Sequence, residues 1–358
     1  MAPRISIVQL GKGTVGATLI DQIAARRETL KSRHGIDLVY AGIAGRQRSA
    51  FRMGGLDLAR WREVVADGPA LDGRALLREV RGLADPKILV DATAEEGMGT
   101  LYREAIESGF HIVSCNKKPL SGALAEYRAV KDACRAARRT WLYEVTVGAG
   151  LPTISTLRDL VESGDRIASI EGCFSGTLNA LCAGLDQGER FSVVLKRAKE
   201  CGFTEPDPRE DLSGADVARK ALILAREAGL ALEPDEVALE PFCKTGSGGD
   251  AAAFLDAVAE QDDAMATKWK EAAGRGNRWR FVAKVAEGCS ASLIEVPVDG
   301  PLGRLTGPEN IFAFRTSRYT DPPLLIAGPG AGPEVTAAGA FGDILKLARA
   351  IAASGRET

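Results

Sequence analysis

The stretch ISIVQLGKGTVGATLIDQIAARRETL, Ile5 to Leu30, decides how the first half of the chain is read. Ile5–Leu10 is a short apolar run rich in β-formers, and three glycines, Gly11, Gly13 and Gly16, follow at once. From Val15 onward the apolar residues recur at helical spacing. Strand, glycine turn and helix together open a βαβ unit. In that setting Gly11, Lys12, Gly13, Thr14, Val15 and Gly16 predict a dinucleotide-binding loop. The glycines permit a tight turn, and backbone N–H groups at the helix start can meet a pyrophosphate. A glycine turn without a ligand is the plainer alternative, and the strand before and helix after weigh against it.

Working outward, a second strand is expected at Asp37–Gly45 after a loop at Ser32–Gly35, then an irregular helical insertion over 51–84 anchored by Trp61 and Val64. KILVDAT reads as a buried parallel strand ending at Asp91 and Thr93, and HIVSCN as another, followed by a helix near Ala123–Ala137. This alternation predicts a doubly wound nucleotide-binding domain over roughly the first 140 residues. The acid usual at the end of the second strand is missing, and Arg46 and Arg48 stand there instead. Guanidinium groups suit a ribose 2′-phosphate, so the pair favours NADP over NAD; a solvated surface pair is the alternative. Lys117, just past HIVSC, could contact phosphate, polarise a carbonyl or simply face solvent. Cys115 beside it reads as a structural thiol, because no histidine lies near in sequence to activate it.

After about residue 140 the composition shifts. IASIEGCFSGTLNAL predicts a strand leading into a helix, helices are expected near 191–200 and 214–229, and four strands fall between Arg278 and Gly330. That pattern fits a second, mixed sheet, closed by an alanine-rich terminal helix. Glu144 and the VTVGAGL turn offer one carboxylate and several carbonyls, oxygen ligands of the kind hard cations take, although a structural turn is the better reading on chemistry alone. GFTEPDPREDLSGADVARK, Gly202 to Lys220, sets Glu205, Asp207, Glu210 and Asp211 in a loop stiffened by Pro206 and Pro208. The following helix carries Asp216 and Lys220 four residues apart, hence on one face, at the border of the stripe Val217, Ala221, Leu224, Ala225 and Ala228. An exposed ion pair and a catalytic acid–amine pair both fit that spacing.

Bulk composition narrows the class. With 46 basic and 48 acidic residues in 358, the chain has no basic stripe for nucleic acid. No apolar run reaches the roughly 20 residues of a membrane span, and the start runs straight into a strand rather than a signal peptide. Seven scattered cysteines without a CxxC pair predict reduced thiols in a cytoplasm. With only His34 and His111 available, the chemistry must run on Lys, Asp and Glu.

The chain resembles homoserine dehydrogenase. Ala198-x3-Gly202-Phe203-Thr204, Asp207-Pro208, Asp211-Leu212, Gly214, Asp216 and Lys220 match that family's signature, and GKGTVG, DAT, NKKPLSG, YEVTVGAGLPTISTLRD, FSGTLN and GPGAGPEVTAAGAFGDILKLA extend the match over nearly the whole chain. The resemblance implies that Lys220 gives the proton to the substrate oxygen, with Asp216 as its acidic neighbour and Lys117 at the cofactor–substrate junction. It implies that Glu205, with Gly202, Asp211 and Thr177, holds an amino-acid substrate, homoserine or aspartate 4-semialdehyde. Thr93 and Gly332 become cofactor contacts, and Glu144 with the carbonyls of Val147, Ala149 and Leu151 becomes a monovalent-cation site, usually sodium. The implied fold is α/β: a Rossmann-type doubly wound domain (1–140 and 335–358), an α/β catalytic domain with a mixed sheet (154–304) and a dimerisation region (141–153 and 305–334) of a homodimer. The resemblance is to the short form, without a fused aspartate kinase or an ACT domain. A reductase of another amino-acid-derived carbonyl and a catalytically silent nucleotide-sensing protein remain as alternatives. Aspartate-semialdehyde dehydrogenase fits worse, since it needs a Cys–His pair.

Overall fold

A computed structural model describes residues 3–245 and 250–354. They divide into two compact units, Met1–Gly150 with Gly332–Thr358, and Leu151–Ala331.

The first unit has the strands β1 (Arg4–Leu10), β2 (Asp37–Ala44), β3 (Ser49–Phe51), β4 (Lys87–Asp91), β5 (Phe110–Ser114) and β6 (Trp141–Leu142), in the order β3-β2-β1-β4-β5-β6. All neighbours are parallel except β2 and β3. β4 is buried along its whole length and β1 at all but its first residue. Covered on both faces, such strands read as continuous apolar runs rather than alternations. Leu19, Ile20 and Ile23 of the helix Thr14–His34 share a core with Ile5 and Ile7 of β1 and with Ala340, Phe341, Ile344 and Leu347 of the terminal helix Pro333–Ser354. Each buried Leu or Ile side chain contributes about 1.5–3 kcal/mol, so the terminal helix is an integral layer of this unit. Thr14–His34 runs through the segment expected as a loop and stops at Gly35, whose left-handed φ of 64° lets its N–H bond the Leu30 carbonyl.

Register aligns the carboxyl ends of the strands. Leu10 lies opposite both Ala44 and Asp91, and Asp91 opposite Ser114. The segments that follow leave the sheet along one edge, where open α/β sheets bind ligands. The insertion over 51–84 is helical in two places, Trp61–Ala66 and Gly73–Glu79. Trp61 is buried as expected, but its partner one turn on is the fully buried Val65, with Val64 only at the rim.

The second unit has β7 (Ile167–Cys173), β8 (Val237–Leu239), β9 (Asn277–Val285), β10 (Cys289–Pro297), β11 (Asn310–Thr316) and β12 (Leu324–Gly328), in the order β12-β11-β7-β9-β10-β8. β8 and β10 are parallel and the other neighbours antiparallel, which makes the sheet mixed. The helix Ala215–Glu227 lies against β9 and β10 and buries Val217, Ala221, Leu224 and Ala225 of the stripe read from the sequence, while Ala228, its C-cap, is only half-buried. The helices Ala251–Ala257 and Asp262–Gly274 have no counterpart in the sequence reading. No described helix is long and apolar enough to cross a membrane.

Candidate active site

In the first unit the glycine loop opens onto a cavity of about 970 Å³ whose lining includes Gly11, Lys12, Gly13, Arg46, Arg48 and Thr93. Gly11 has φ 92°, and a Cβ there would stand 2.6 Å from the Ala92 carbonyl oxygen, so only glycine lets the two loops approach this closely. Thr14, Val15 and Gly16 begin the helix behind the loop. Lys12 folds its stem over Gly45, where a Cβ would lie 2.5 Å from the Lys12 Cε.

The two arginines play different parts. β2 turns back into β3 through a tight turn in which the Gly45 N–H donates to the Arg48 carbonyl (2.8 Å), so Arg46 and Gln47 sit at a hairpin tip. Arg48 Nη1 donates to the Gly68 carbonyl (2.9 Å) and pins the hairpin to the insertion. Arg46 is exposed, with no hydrogen bond or ion pair among the described residues. The cations free to meet a phosphate are therefore Arg46 and Lys12, and Arg48 is chiefly a strut.

At the end of β4 the wholly buried Asp91 organises two loops. Its Oδ1 accepts the Thr93 N–H (2.8 Å), and its Oδ2 accepts the Tyr102 hydroxyl (2.5 Å) and Asn116 Nδ2 (3.2 Å). Asn116 also donates to the Glu95 carbonyl (2.8 Å), tying the Thr93 loop to the start of the Lys117 segment. Lys117 caps the short helix Lys118–Ser121, its carbonyl accepting the N–H groups of Leu120 and Ser121 (3.0 Å each). Neither Lys117 nor Gly332 belongs to the cavity's lining; Gly332, at φ 116°, starts the terminal helix by accepting the Thr336 N–H (3.0 Å). Burial, reinforced by Asp91 and Asp343, pushes the thiol of the half-buried Cys115 up, which disfavours the thiolate.

The second unit gathers the acids and the lysine. Lys220 is 8% exposed; its Nζ lies 2.8 Å from Asp216 Oδ2 and donates to the Phe174 carbonyl (2.7 Å). The same carbonyl accepts Asn310 Nδ2 (3.2 Å), from the first residue of β11. Asp211 Oδ2 accepts the Glu205 N–H (2.8 Å), and the Thr177 hydroxyl, beside Asp211, donates to the Phe203 carbonyl. Gly202, at φ 71°, ends the helix Phe191–Glu200 just before this loop. Burial first, then the charges of Glu205 and Asp216, pushes the Asp211 carboxyl up. The acid run splits in two, however. Asp207 turns away to cap the helix Pro208–Leu212 and to pair with Arg209 (2.6 Å), and Pro208 is its buried first residue. Glu205 and Asp211 remain beside the lysine pair as an anionic patch that suits a ligand ammonium. Sequence reasoning missed Phe174 and Asn310, because a backbone carbonyl and a residue 136 positions away leave no local signal.

The turn expected to hold a cation has left-handed backbone at Gly148 (φ 82°) and Ala149 (φ 52°), just after Val147. The buried Glu144 carboxylate accepts Lys346 Nζ (3.2 Å), and its N–H donates to Asp343 Oδ2 (2.9 Å). Leu151, the fourth expected ligand, opens the second unit, where its carbonyl accepts the Thr153 N–H (2.8 Å).

The homoserine dehydrogenase family pattern matches residues 152–345, and that family's NAD-binding domain matches residues 11–144. The chain belongs to the homoserine dehydrogenase family. Among its relatives, the chloroplastic bifunctional aspartokinase/homoserine dehydrogenase 1 of Arabidopsis thaliana is 41% identical over 347 residues, covering 95% of this chain. The match takes in 38% of the plant protein's length. A crystal structure of a putative homoserine dehydrogenase from Archaeoglobus fulgidus is 25% identical, with a TM-score of 0.79 over 96% of this chain and 99% of the other. A hyperthermophilic archaeal homoserine dehydrogenase in complex with NADPH is 26% identical, with a TM-score of 0.75 over 96% of this chain and 97% of the other. The glycine cavity falls within the NAD-binding match, and the Lys220 cluster within the other.

Proposed function

We propose that this chain interconverts L-aspartate 4-semialdehyde and L-homoserine with NAD(P), in the biosynthesis of threonine, methionine and isoleucine. The Lys220 ammonium carries the reading. It has three donors, Asp216 and the Phe174 carbonyl take two, and one is left for a substrate oxygen. The dinucleotide, when bound, supplies or accepts the hydride at the substrate's C4. Lys220 gives a proton to the alkoxide that forms there in the reducing direction and takes it back in the oxidising one. Its charge stabilises the same oxyanion. Glu205 and Asp211, with Gly202 and Thr177 beside them, hold the substrate ammonium and so fix the carbon to be reduced. This residue-by-residue support favours homoserine over another carbonyl substrate, and the complete Lys220–Asp216 pair disfavours a silent sensor.

Homoserine oxidation, followed by absorbance with NADP and then NAD, tests the reading; no turnover with either would overturn it. Arg46 and Lys12 favour NADP. Arg46→Glu is expected to raise the NADP KM about tenfold or more while leaving the NAD KM within about twofold, because it sets a carboxylate against the 2′-phosphate alone. Equal effects on both cofactors would remove Arg46 from that role.

Asp211 gives the site a pH dependence. Its raised pKa means that the carboxylate is lost, as pH falls, earlier than an ordinary Asp, so the homoserine KM should rise on the acid side and Asp211→Asn should flatten that limb. The stability sign is opposite. A carboxyl whose folded-state pKa is raised costs stability above that pKa, and the cost fades as pH falls toward the unfolded value.

Glu144 and the carbonyls of Val147 and Ala149 would supply oxygen ligands of the kind a monovalent cation such as sodium takes, in a turn where the carboxylates of Glu144 and Asp343 stand together beside Lys346. The segments 141–153 and 305–334 are the proposed faces of a homodimer, and a cytoplasmic location accords with the reduced cysteines.

A further inference from the structure

Gln9 is a polar residue next to the last position of β1, and it is 0% exposed. A buried amide costs stability unless its donors and acceptor are met. Here they are met in a particular way. Gln9 Nε2 donates to the Gly11 carbonyl (2.8 Å) and to the Gly16 carbonyl (2.9 Å), while Gln9 Oε1 accepts the hydroxyl of Tyr40 (2.8 Å), itself 1% exposed in β2. The two carbonyls, which can only accept, fix which way the amide faces, and the Tyr40 hydroxyl holds it there by donating to the oxygen.

We propose that Gln9, held by Tyr40, is the positioning residue that sets the glycine loop for the dinucleotide's phosphates. The proposal rests on the dinucleotide reading of that loop. The Gly11–Lys12 peptide is trans. In a planar trans peptide C=O and N–H point in opposite directions. Gln9 draws the Gly11 carbonyl into the protein, and the Lys12 N–H is thereby turned outward, on a loop whose Gly11, Lys12 and Gly13 line the cavity. The second bond, to Gly16, ties the loop to the first turn of the helix, where N–H groups without helical partners gather. Gly16 itself is required by this arrangement, since a Cβ there would overlap the Gly11 carbonyl oxygen and come within 2.9 Å of Gln9 Nε2. One side chain thus clamps both ends of GKGTVG.

The test is a double-mutant cycle on cofactor affinity, with wild type, Gln9→Met, Tyr40→Phe and the double variant titrated with NADPH by fluorescence and melted in parallel. Gln9→Met is expected to weaken NADPH binding about tenfold and Tyr40→Phe about threefold, with the homoserine KM at saturating cofactor within about twofold of wild type. Because Tyr40 acts through Gln9, the double variant should bind NADPH like Gln9→Met alone. Variants that melt earlier yet bind NADPH like wild type would show the pair to be structural only, and full additivity in affinity would break the proposed link. Should Gln9→Met fail to fold, Tyr40→Phe decides alone, and wild-type affinity in it overturns the proposal. Absence of NADPH and NADH binding by the wild type would overturn the dinucleotide reading and this proposal together.

Discussion

Replacing Lys220 with alanine is expected to lower turnover about a thousandfold, within the range set by loss of a general acid, and to leave NADPH affinity within about twofold because the dinucleotide loop belongs to the other compact unit. Two effects combine in the loss. The developing alkoxide no longer receives a proton, and it forms beside an Asp216 carboxylate whose ammonium partner is gone. Asp216→Asn should fall between wild type and Lys220→Ala, since the ammonium keeps the Phe174 carbonyl as an anchor. Steady-state kinetics with homoserine, together with NADPH titration of each variant, reads the outcome. Turnover equal to wild type in Lys220→Ala would end its assignment as proton donor.

Local spacing made the Asp216–Lys220 pair legible in advance, and the family resemblance alone gave it a role. Asp216 and Lys220 are four apart on a helix, so the periodicity that marks the buried stripe also places both heads together, and the ion pair forms. The Rossmann half was legible for the same reason, since β1, β4 and β5 are apolar runs bounded by glycine or polar turns. Elements without a period were lost. β3 is three residues long and exists because β2 has an unpaired edge to offer. The helices Ala251–Ala257 and Asp262–Gly274 are alanine-rich and carry few large apolar residues to mark a face. The acid-rich loop misled in another way. Four carboxylates close in sequence suggested one cluster, but capping and pairing with Arg209 took Asp207 out of it, and Glu210 is exposed on the helix Pro208–Leu212. Partners that act through backbone carbonyls or from distant strands, Phe174 for Lys220, Asn310 for the Phe174 carbonyl and Tyr40 for Gln9, are set by tertiary contact alone.

Gly11→Ala should abolish measurable NADPH binding, raising Kd about a hundredfold or more, while Lys220 and its neighbours keep their places in the other unit. Two costs add at this position. The φ of 92° is one that an L side chain adopts only with strain, on the order of 1–2 kcal/mol. The new methyl would stand 2.6 Å from the Ala92 carbonyl oxygen and 3.0 Å from the Thr93 nitrogen, and neither atom is free to move. The Ala92 N–H is bonded to the Leu10 carbonyl (2.8 Å), and the Thr93 N–H to Asp91 (2.8 Å), itself locked to Tyr102 and Asn116. The loop must therefore give way instead, and moving it breaks the Gln9 clamp and turns the Lys12 N–H off the cavity. Gly13 makes the control, because a Cβ there meets nothing within 4 Å and the residue has an ordinary extended φ of −64°. Gly13→Ala should fold like wild type and lose affinity only through crowding of the phosphate, by about tenfold. Equal Kd values for Gly11→Ala and wild type would mean that the close approach of the two loops has no part in binding the cofactor.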